Sequence, residues 1–406
     1  MKPARKPIGG ERPARAVGPA EGRSASLTAI TTDAAEIARG AGRRRRGDGG
    51  EAYGIAELYE TDDNPLPTGA HVTVLETADG VRLRCASFPA SGRALGTVLL
   101  VQGRNECIEK YFETARDLAA EGFATVTFDW RGQGGSDRLI GDPMRGYVRD
   151  FNEYETDLHT VLESETLADS PGPVSIAAHS MGALVSLLAA PRVEGRVARI
   201  VALAPLIRIA SQPFSHTTMR VFLAVLRALR LGRLYAAGGP RAPEPPAFET
   251  NVLTSDPARH ARNARLFVEH PHLALGGPTV AWAHAALRAM ARVRRERLLV
   301  RIGLPSLLVG AGDDTVVSTR SVERLARRMR NANCVVIDGA RHELLQERDR
   351  YRRQAIAAIT AFAARRADAP AAHANPARSM AEGPAETAAA DAAVEATTSD
   401  PAGAAA

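Results

Sequence analysis

Lysine is nearly missing from this chain: of 52 basic residues only Lys2, Lys6 and Lys110 are lysine. Such a bias reflects coding composition and identifies no partner. Cysteine is scarce as well, with Cys85, Cys107 and Cys334 in no Cys-x-x-Cys spacing. An odd, scattered set excludes a disulfide frame and a thiolate metal site and reads as reduced thiols of a cytosolic protein. No run of about eighteen uninterrupted apolar residues occurs, which excludes a spanning helix. The basic N-terminus has no apolar core behind its charges, and Arg43 to Arg46 runs into Gly-Asp-Gly-Gly, so neither a secretory nor a twin-arginine signal is expected. No aromatic residue interleaves that arginine cluster, so no nucleic-acid partner is expected. His342-Glu343 lacks the second histidine of His-Glu-x-x-His, since Gln346 stands there, which removes a metalloprotease.

What remains is a chain of 406 residues, 45% apolar, long enough for one large domain or two ordinary ones. Of its net charge of +6, residues 1–50 carry +6, residues 367–406 carry −5, and the middle about +5. Residues 1–53 have no apolar period and are expected to be a disordered basic leader; residues 367–406 are expected to be a disordered Ala-rich acidic tail. Between them, at 54–366, strands and helices alternate. His71 to Glu76 and Val81 to Ser87 form an expected hairpin around Asp79-Gly80. Buried strands follow at Thr97 to Val101, Ala124 to Phe128, Val174 to Ala178 and Ile200 to Leu203, with helices at Ile108 to Gly122 and Phe151 to Leu162. The glycines of the loop from Asp129 to Ser136 do not fit Gly-x-Gly-x-x-Gly, so it reads as a structural turn. The rhythm breaks from Pro205 to about Ala285, then resumes with strands Ser306 to Val309 and Cys334 to Ile337 and helices Thr319 to Met329 and Arg348 to Arg365. The expected fold is a mostly parallel, helix-covered α/β sheet with a helical cap, about 205–285, inserted after the sixth strand.

The centre of this pattern is Ala178-His179-Ser180-Met181-Gly182, a sharp turn between a strand and an apolar helix. Such a turn holds its middle side chain out on a strained backbone and needs small residues two positions either side. Ser180 is therefore the candidate nucleophile, with Ala178 replacing the first glycine of Gly-x-Ser-x-Gly. A serine hydroxyl needs a base, and the base an orienting acid. Of ten histidines, only His342 stands in a sheet-edge loop after the turn. Either Asp313 or Asp314, in the loop after strand Ser306 to Val309, is placed to be the acid. The chain order Ser, Asp, His is that of α/β-hydrolases. A developing oxyanion needs backbone N–H donors, expected from Met181, which opens a helix, and from Arg104 in the loop after Val101.

Together these segments resemble the α/β-hydrolase branch of monoacylglycerol lipases and bacterial lysophospholipases, also grouped with serine aminopeptidase-like hydrolases. The resemblance rests on Gly103 to Tyr111, Asp129 to Ser136, the Ala178 to Gly182 turn, Asn251 to Asp256, Leu275 to Thr279 and Gly339 to Glu343. It implies Ser180 as nucleophile, His342 as base, Asp314 as acid, and Arg104 and Met181 as oxyanion donors. It also implies an ester hydrolase acting on a lysophospholipid or monoacylglycerol, with no cofactor and no metal. Gln102-Gly103 stands where the family usually has His-Gly. An acyltransferase, another small-ester or peptide hydrolase on the same fold, and a catalytically silent lipid-binding protein are the rival readings. In the cap, Met219 to Leu234 is apolar except Arg220, Arg227, Arg230 and Arg233, which at about 100° per residue span an arc of roughly 140°. This basic amphipathic helix reads either as a cap helix with a solvated arginine face or as a lid touching anionic lipid at the inner face of the membrane. The expected location is cytoplasmic.

Overall fold

The computed structural model describes residues 55–210, 214–237, 239 and 247–365; the expected leader and tail, and the loop at 240–246, lie outside them. Strands β1 (His71–Glu76) and β2 (Arg82–Phe88) pair antiparallel around a turn in which Gly80 takes φ 78°, as the Asp79-Gly80 pair predicts. Strand β3 (Gly96–Val101) leads through a 3-10 turn, Ile108–Tyr111, into α1 (Phe112–Ala120), then β4 (Phe123–Phe128) and α2 (Phe151–Leu162). The single helix expected from Ile108 thus begins as a tighter turn. Strand β5 (Val174–His179) feeds directly into α3 (Ser180–Val193), and β6 (Arg199–Leu203) follows. The inserted segment holds α4 (His216–Ala228), α5 (Pro257–Glu269) and α6 (Val280–Val293). The chain then returns through β7 (Ser306–Ala311), α7 (Thr319–Ala326), β8 (Ala332–Ile337) and α8 (Asp349–Ala363).

The eight strands form one sheet in the order β1-β2-β4-β3-β5-β6-β7-β8, antiparallel only at the β1 and β2 edge. Alternate side chains of the central strands bury on opposite faces. Leu99, Val101, Ile176 and Ala178 pack with residues of α2, α3 and α6, while Val98, Leu100, Ala177 and Val201 pack with Ile356, Ile359 and Phe362 of α8. The parallel arrangement brings the carboxyl ends of β3, β5, β7 and β8 to one edge, so the loops starting at Gln102, Ser180, Gly312 and Asp338 converge there. Among the described residues no helix is long and apolar enough to cross a membrane.

One expected element is shorter than its pattern. The helix read across Met219 to Leu234 ends at Ala228, and Arg230 turns the chain out of helical conformation at φ 63°. Arg230 and Arg233 therefore do not share a helical face with Arg220 and Arg227. The surface of α4 that faces outward is instead apolar, with Val221, Phe222 and Val225 exposed.

Beneath the converging loops lies a buried ion cluster. The Arg84 guanidinium, wholly buried on β2, meets both Glu109 oxygens at 2.7 and 2.8 Å and Asp129 Oδ2 at 2.6 Å. Asp129 also accepts from the backbone N–H of Ile108 at 3.0 Å and of Gly135 at 2.7 Å. A Cβ on Gly135 would lie 2.5 Å from Arg84 Nε, so only glycine lets the loop close over the guanidinium. The Asp129 to Ser136 turn is thus structural, as its sequence suggests, and it fixes the chain just past Arg104. Replacing Arg84 by Met leaves two buried carboxylates without a cation and is expected to destabilise the fold by about 3–5 kcal/mol. Urea unfolding of Arg84→Met against wild type checks this; an unchanged midpoint would contradict the assigned role.

Candidate active site

Ser180 opens α3 with φ 47°, a conformation that costs a non-glycine residue roughly 1–3 kcal/mol and persists only where packing enforces it. The enforcing contact is the crossing of α3 over the end of β3. A Cβ on Gly182 would stand 2.3 Å from the Gln102 carbonyl oxygen and 2.7 Å from that of Val101. The methyl of Ala178, by contrast, is fully buried in the core and fits.

The partners are in place. His342 Nε2 lies 2.9 Å from Ser180 Oγ, and His342 Nδ1 lies 2.7 Å from Asp314 Oδ2. Asp314 Oδ1 accepts from the N–H groups of Val316 at 2.8 Å and Val317 at 2.9 Å, which orients the carboxylate and leaves Oδ2 for the imidazole. With Nδ1–H given to Asp314, the Nε2 lone pair faces the serine hydroxyl. Asp313, the other aspartate of that loop, is exposed, and its backbone N–H bonds the Ala340 carbonyl at 2.8 Å. Met181 belongs to the first turn of α3, where N–H groups have no intrahelical acceptor, and Arg104 lies in the loop after β3. Both line the same cavity as Ser180, a space of about 1160 Å³ whose walls include Leu206, Phe222, Leu223, Leu287 and Met290.

Sequence reasoning passed over a second buried cluster directly behind these groups. His179 turns away from Ser180, as expected, but it has work of its own. Its Nδ1 lies 3.0 Å from Glu106 Oε1, and its Nε2 lies 3.2 Å from the His342 carbonyl oxygen. Glu106 Oε2 accepts from Tyr111 Oη at 2.6 Å and from the Gly103 N–H. Lys110 Nζ stands 2.7 Å from Glu343 and 3.5 Å from Glu106. Burial alone would raise the Glu106 carboxyl, but the adjacent His179 and Lys110 charges override it and hold it well below the usual carboxylate range. Burial alone would likewise lower His179, and Glu106 lifts it above its ordinary value. The available signal was the density of charged residues in Gly103 to Tyr111 and Gly339 to Glu343, segments otherwise bound for burial.

The chain is similar to known proteins in sequence and in fold. Residues 92–349 match the Hydrolase_4 family, described as serine aminopeptidase, S33. The chain belongs to that family. It is 35% identical over 279 residues to lysophospholipase L2 of Escherichia coli (strain K12), covering 65% of this chain and 79% of that protein. It is 27% identical over 278 residues to the monoglyceride lipase of Homo sapiens, covering 67% and 84%. In three dimensions it resembles a soluble variant of monoglyceride lipase from Saccharomyces cerevisiae, with a TM-score of 0.57 at 19% identity, covering 75% of this chain and 98% of that one. The fold is that of the α/β-hydrolases, and the chain is an enzyme of the carboxylic ester hydrolase group, similar to lysophospholipases and monoglyceride lipases.

The Glu106 and His179 pair predicts a pH-dependent stability. The depressed Glu106 contributes above its unfolded-state value of about 4.3, and that contribution is lost as pH falls through its folded value. The raised His179 contributes below about 6.5, and that contribution is lost as pH rises through its folded value. Lys110, which also faces Glu106, stays charged throughout. Glu106→Gln is therefore expected to lower the unfolding free energy more at about pH 5.5 than at about pH 9. Urea titrations at the two values check it, and a gap that widens at the higher pH would contradict the pairing.

Proposed function

We propose that this chain is a serine carboxylic ester hydrolase that acts through an acyl-enzyme on a lysophospholipid or a monoacylglycerol-type lipid ester. The observation that carries the proposal is the hydrogen-bonded series Ser180, His342, Asp314 opening on a deep, largely apolar cavity. Ser180 Oγ attacks the acyl carbonyl while His342 Nε2 takes its proton, and Asp314 stabilises the imidazolium that forms. The backbone N–H groups of Arg104 and Met181 receive the oxyanion, each such donor being worth roughly 3 kcal/mol in comparable sites. His342 then protonates the departing alcohol, and water, activated by the same imidazole, releases the fatty acid. The aliphatic walls suit an acyl chain, and relatives named lysophospholipase and monoglyceride lipase support a lipid ester as substrate.

In this reading residues 54–366 are the hydrolase domain and about 205–285 its cap, in a cytoplasmic enzyme peripheral to the inner face of the membrane. Phe214, Val221, Phe222, Val225 and Leu229 are exposed on or beside α4. With Arg220 and Arg227 on the same helix, the cap offers apolar contact and positive charge to an anionic lipid surface.

Ser180→Ala is expected to abolish labelling by a fluorophosphonate probe and to cut fatty-acid release from lysophosphatidylcholine or monoacylglycerol by about 10³-fold or more. Labelling without release from either lipid would point to another ester or to acyl transfer; a folded wild type that does not label would overturn the proposal. For the cap, Phe222→Asp is expected to weaken sedimentation with phosphatidylglycerol vesicles, and unchanged partitioning would remove the membrane contact.

A further inference from the structure

Among the described residues lining the cavity, one cation, Arg104, has no carboxylate partner. The carboxylates lining it are already matched: Glu106 faces His179 and Lys110, and Glu343 faces Lys110. The Arg104 guanidinium has no carboxylate within ion-pair reach among the described residues. Its Nη2 donates to the Gly276 carbonyl oxygen at 2.5 Å, and its Cζ stands 5.2 Å from the centre of the Trp282 ring. Its Nε is sealed from solvent with no hydrogen-bond acceptor. The surroundings are shaped to hold it. A Cβ on Gly146 would lie 2.5 Å from Arg104 Nη2, so that stretch of backbone leaves room for the guanidinium only because it carries no side chain. Burial lowers Arg104 to about 10, so it keeps its proton at neutral pH. A desolvated cation with one neutral acceptor is costly to maintain, and an anionic ligand group recovers that cost.

We infer that the Arg104 side chain reads the phosphate of a lysophospholipid, so that the site favours a phosphate-bearing lipid ester over a neutral monoacylglycerol. This inference rests on the hydrolase reading above. Arginine is the suitable residue, because its guanidinium keeps its charge and its remaining Nη N–H groups can donate charge-assisted hydrogen bonds to phosphate oxygens. The lengths agree as well. Five bonds separate Cα from Cζ in arginine and six separate the acyl carbon from phosphorus in a 1-acyl lysophospholipid; both span roughly 6–7 Å. A backbone N–H at the carbonyl oxygen and a guanidinium at the phosphate can therefore come from one residue. Gly276 and Trp282 fix the far end of that side chain, and the Asn105 Oδ1 bond to the Leu275 N–H at 3.1 Å ties the two loops together.

The test compares kcat/KM for lysophosphatidylethanolamine and for 1-monooleoylglycerol, in the same detergent, for wild type, Arg104→Gln and Arg104→Lys. The ratio of the two values is expected to fall about tenfold or more in Arg104→Gln, the size of a lost charge-assisted hydrogen bond, and to recover in part in Arg104→Lys. Reading the ratio separates headgroup recognition from a general loss of activity. A second arm needs only the wild type: glycerol 3-phosphate is expected to slow fluorophosphonate labelling of Ser180, while glycerol at the same concentration does not. An unchanged ratio, or equal protection by both competitors, would overturn the inference and leave the hydrolase reading standing. A wild type that neither labels nor releases fatty acid would overturn both.

Discussion

One buried anion, the Glu106 carboxylate, ties together the two loops on which the site depends. It accepts the Gly103 N–H in the loop that carries Arg104, and through His179 it holds the carbonyl oxygen of His342 in the loop after β8. Gly103 has to be glycine for this, since a Cβ there would lie 2.9 Å from both Glu106 and His179. The carboxylate stays ionised because two cations and a phenol surround it, and in a dry interior such a network holds its members more tightly than any single pair would. Below it, the Arg84 cluster anchors the same loop from the other side. The loops that carry Arg104 and His342 are thus set by two layers of buried charge.

How much of this was legible in the residues depends on the range of each interaction. The strand-turn-helix around Ser180 is local, and small residues at 178 and 182 announce it. His342 and Asp314 are far away in the chain, yet a parallel sheet brings strand ends to one edge, so their positions after strands were enough. Asp314 and Asp313 could not be separated by spacing alone; the Val316 and Val317 N–H bonds separate them, and those depend on the turn adopted by the backbone. The Glu106, Lys110 and Glu343 cluster had no local signature, because Lys110 and Glu343 are 233 residues apart. The cap helix was misread for a different reason. Its arginines keep helical spacing beyond Ala228, but periodicity does not register a positive φ at Arg230.

The inserted segment and the cavity both present apolar surface. Outside, α4 turns phenylalanine and valine to solvent, a surface that water disfavours and a lipid layer does not. Inside, the cavity lining combines aliphatic residues such as Leu206, Leu223 and Leu287 with Glu106, Lys110 and Glu343.

Lys110 is the single lysine among the described residues, and its ammonium lies buried against Glu343. All other side-chain positive charge on the described surface, histidine aside, is guanidinium, which does not titrate in any physiological range and is not a substrate for lysine acetylation. The guanidinium share of that positive charge is therefore constant across physiological pH and closed to amine modification. Amine-reactive reagents would meet no exposed lysine among the described residues.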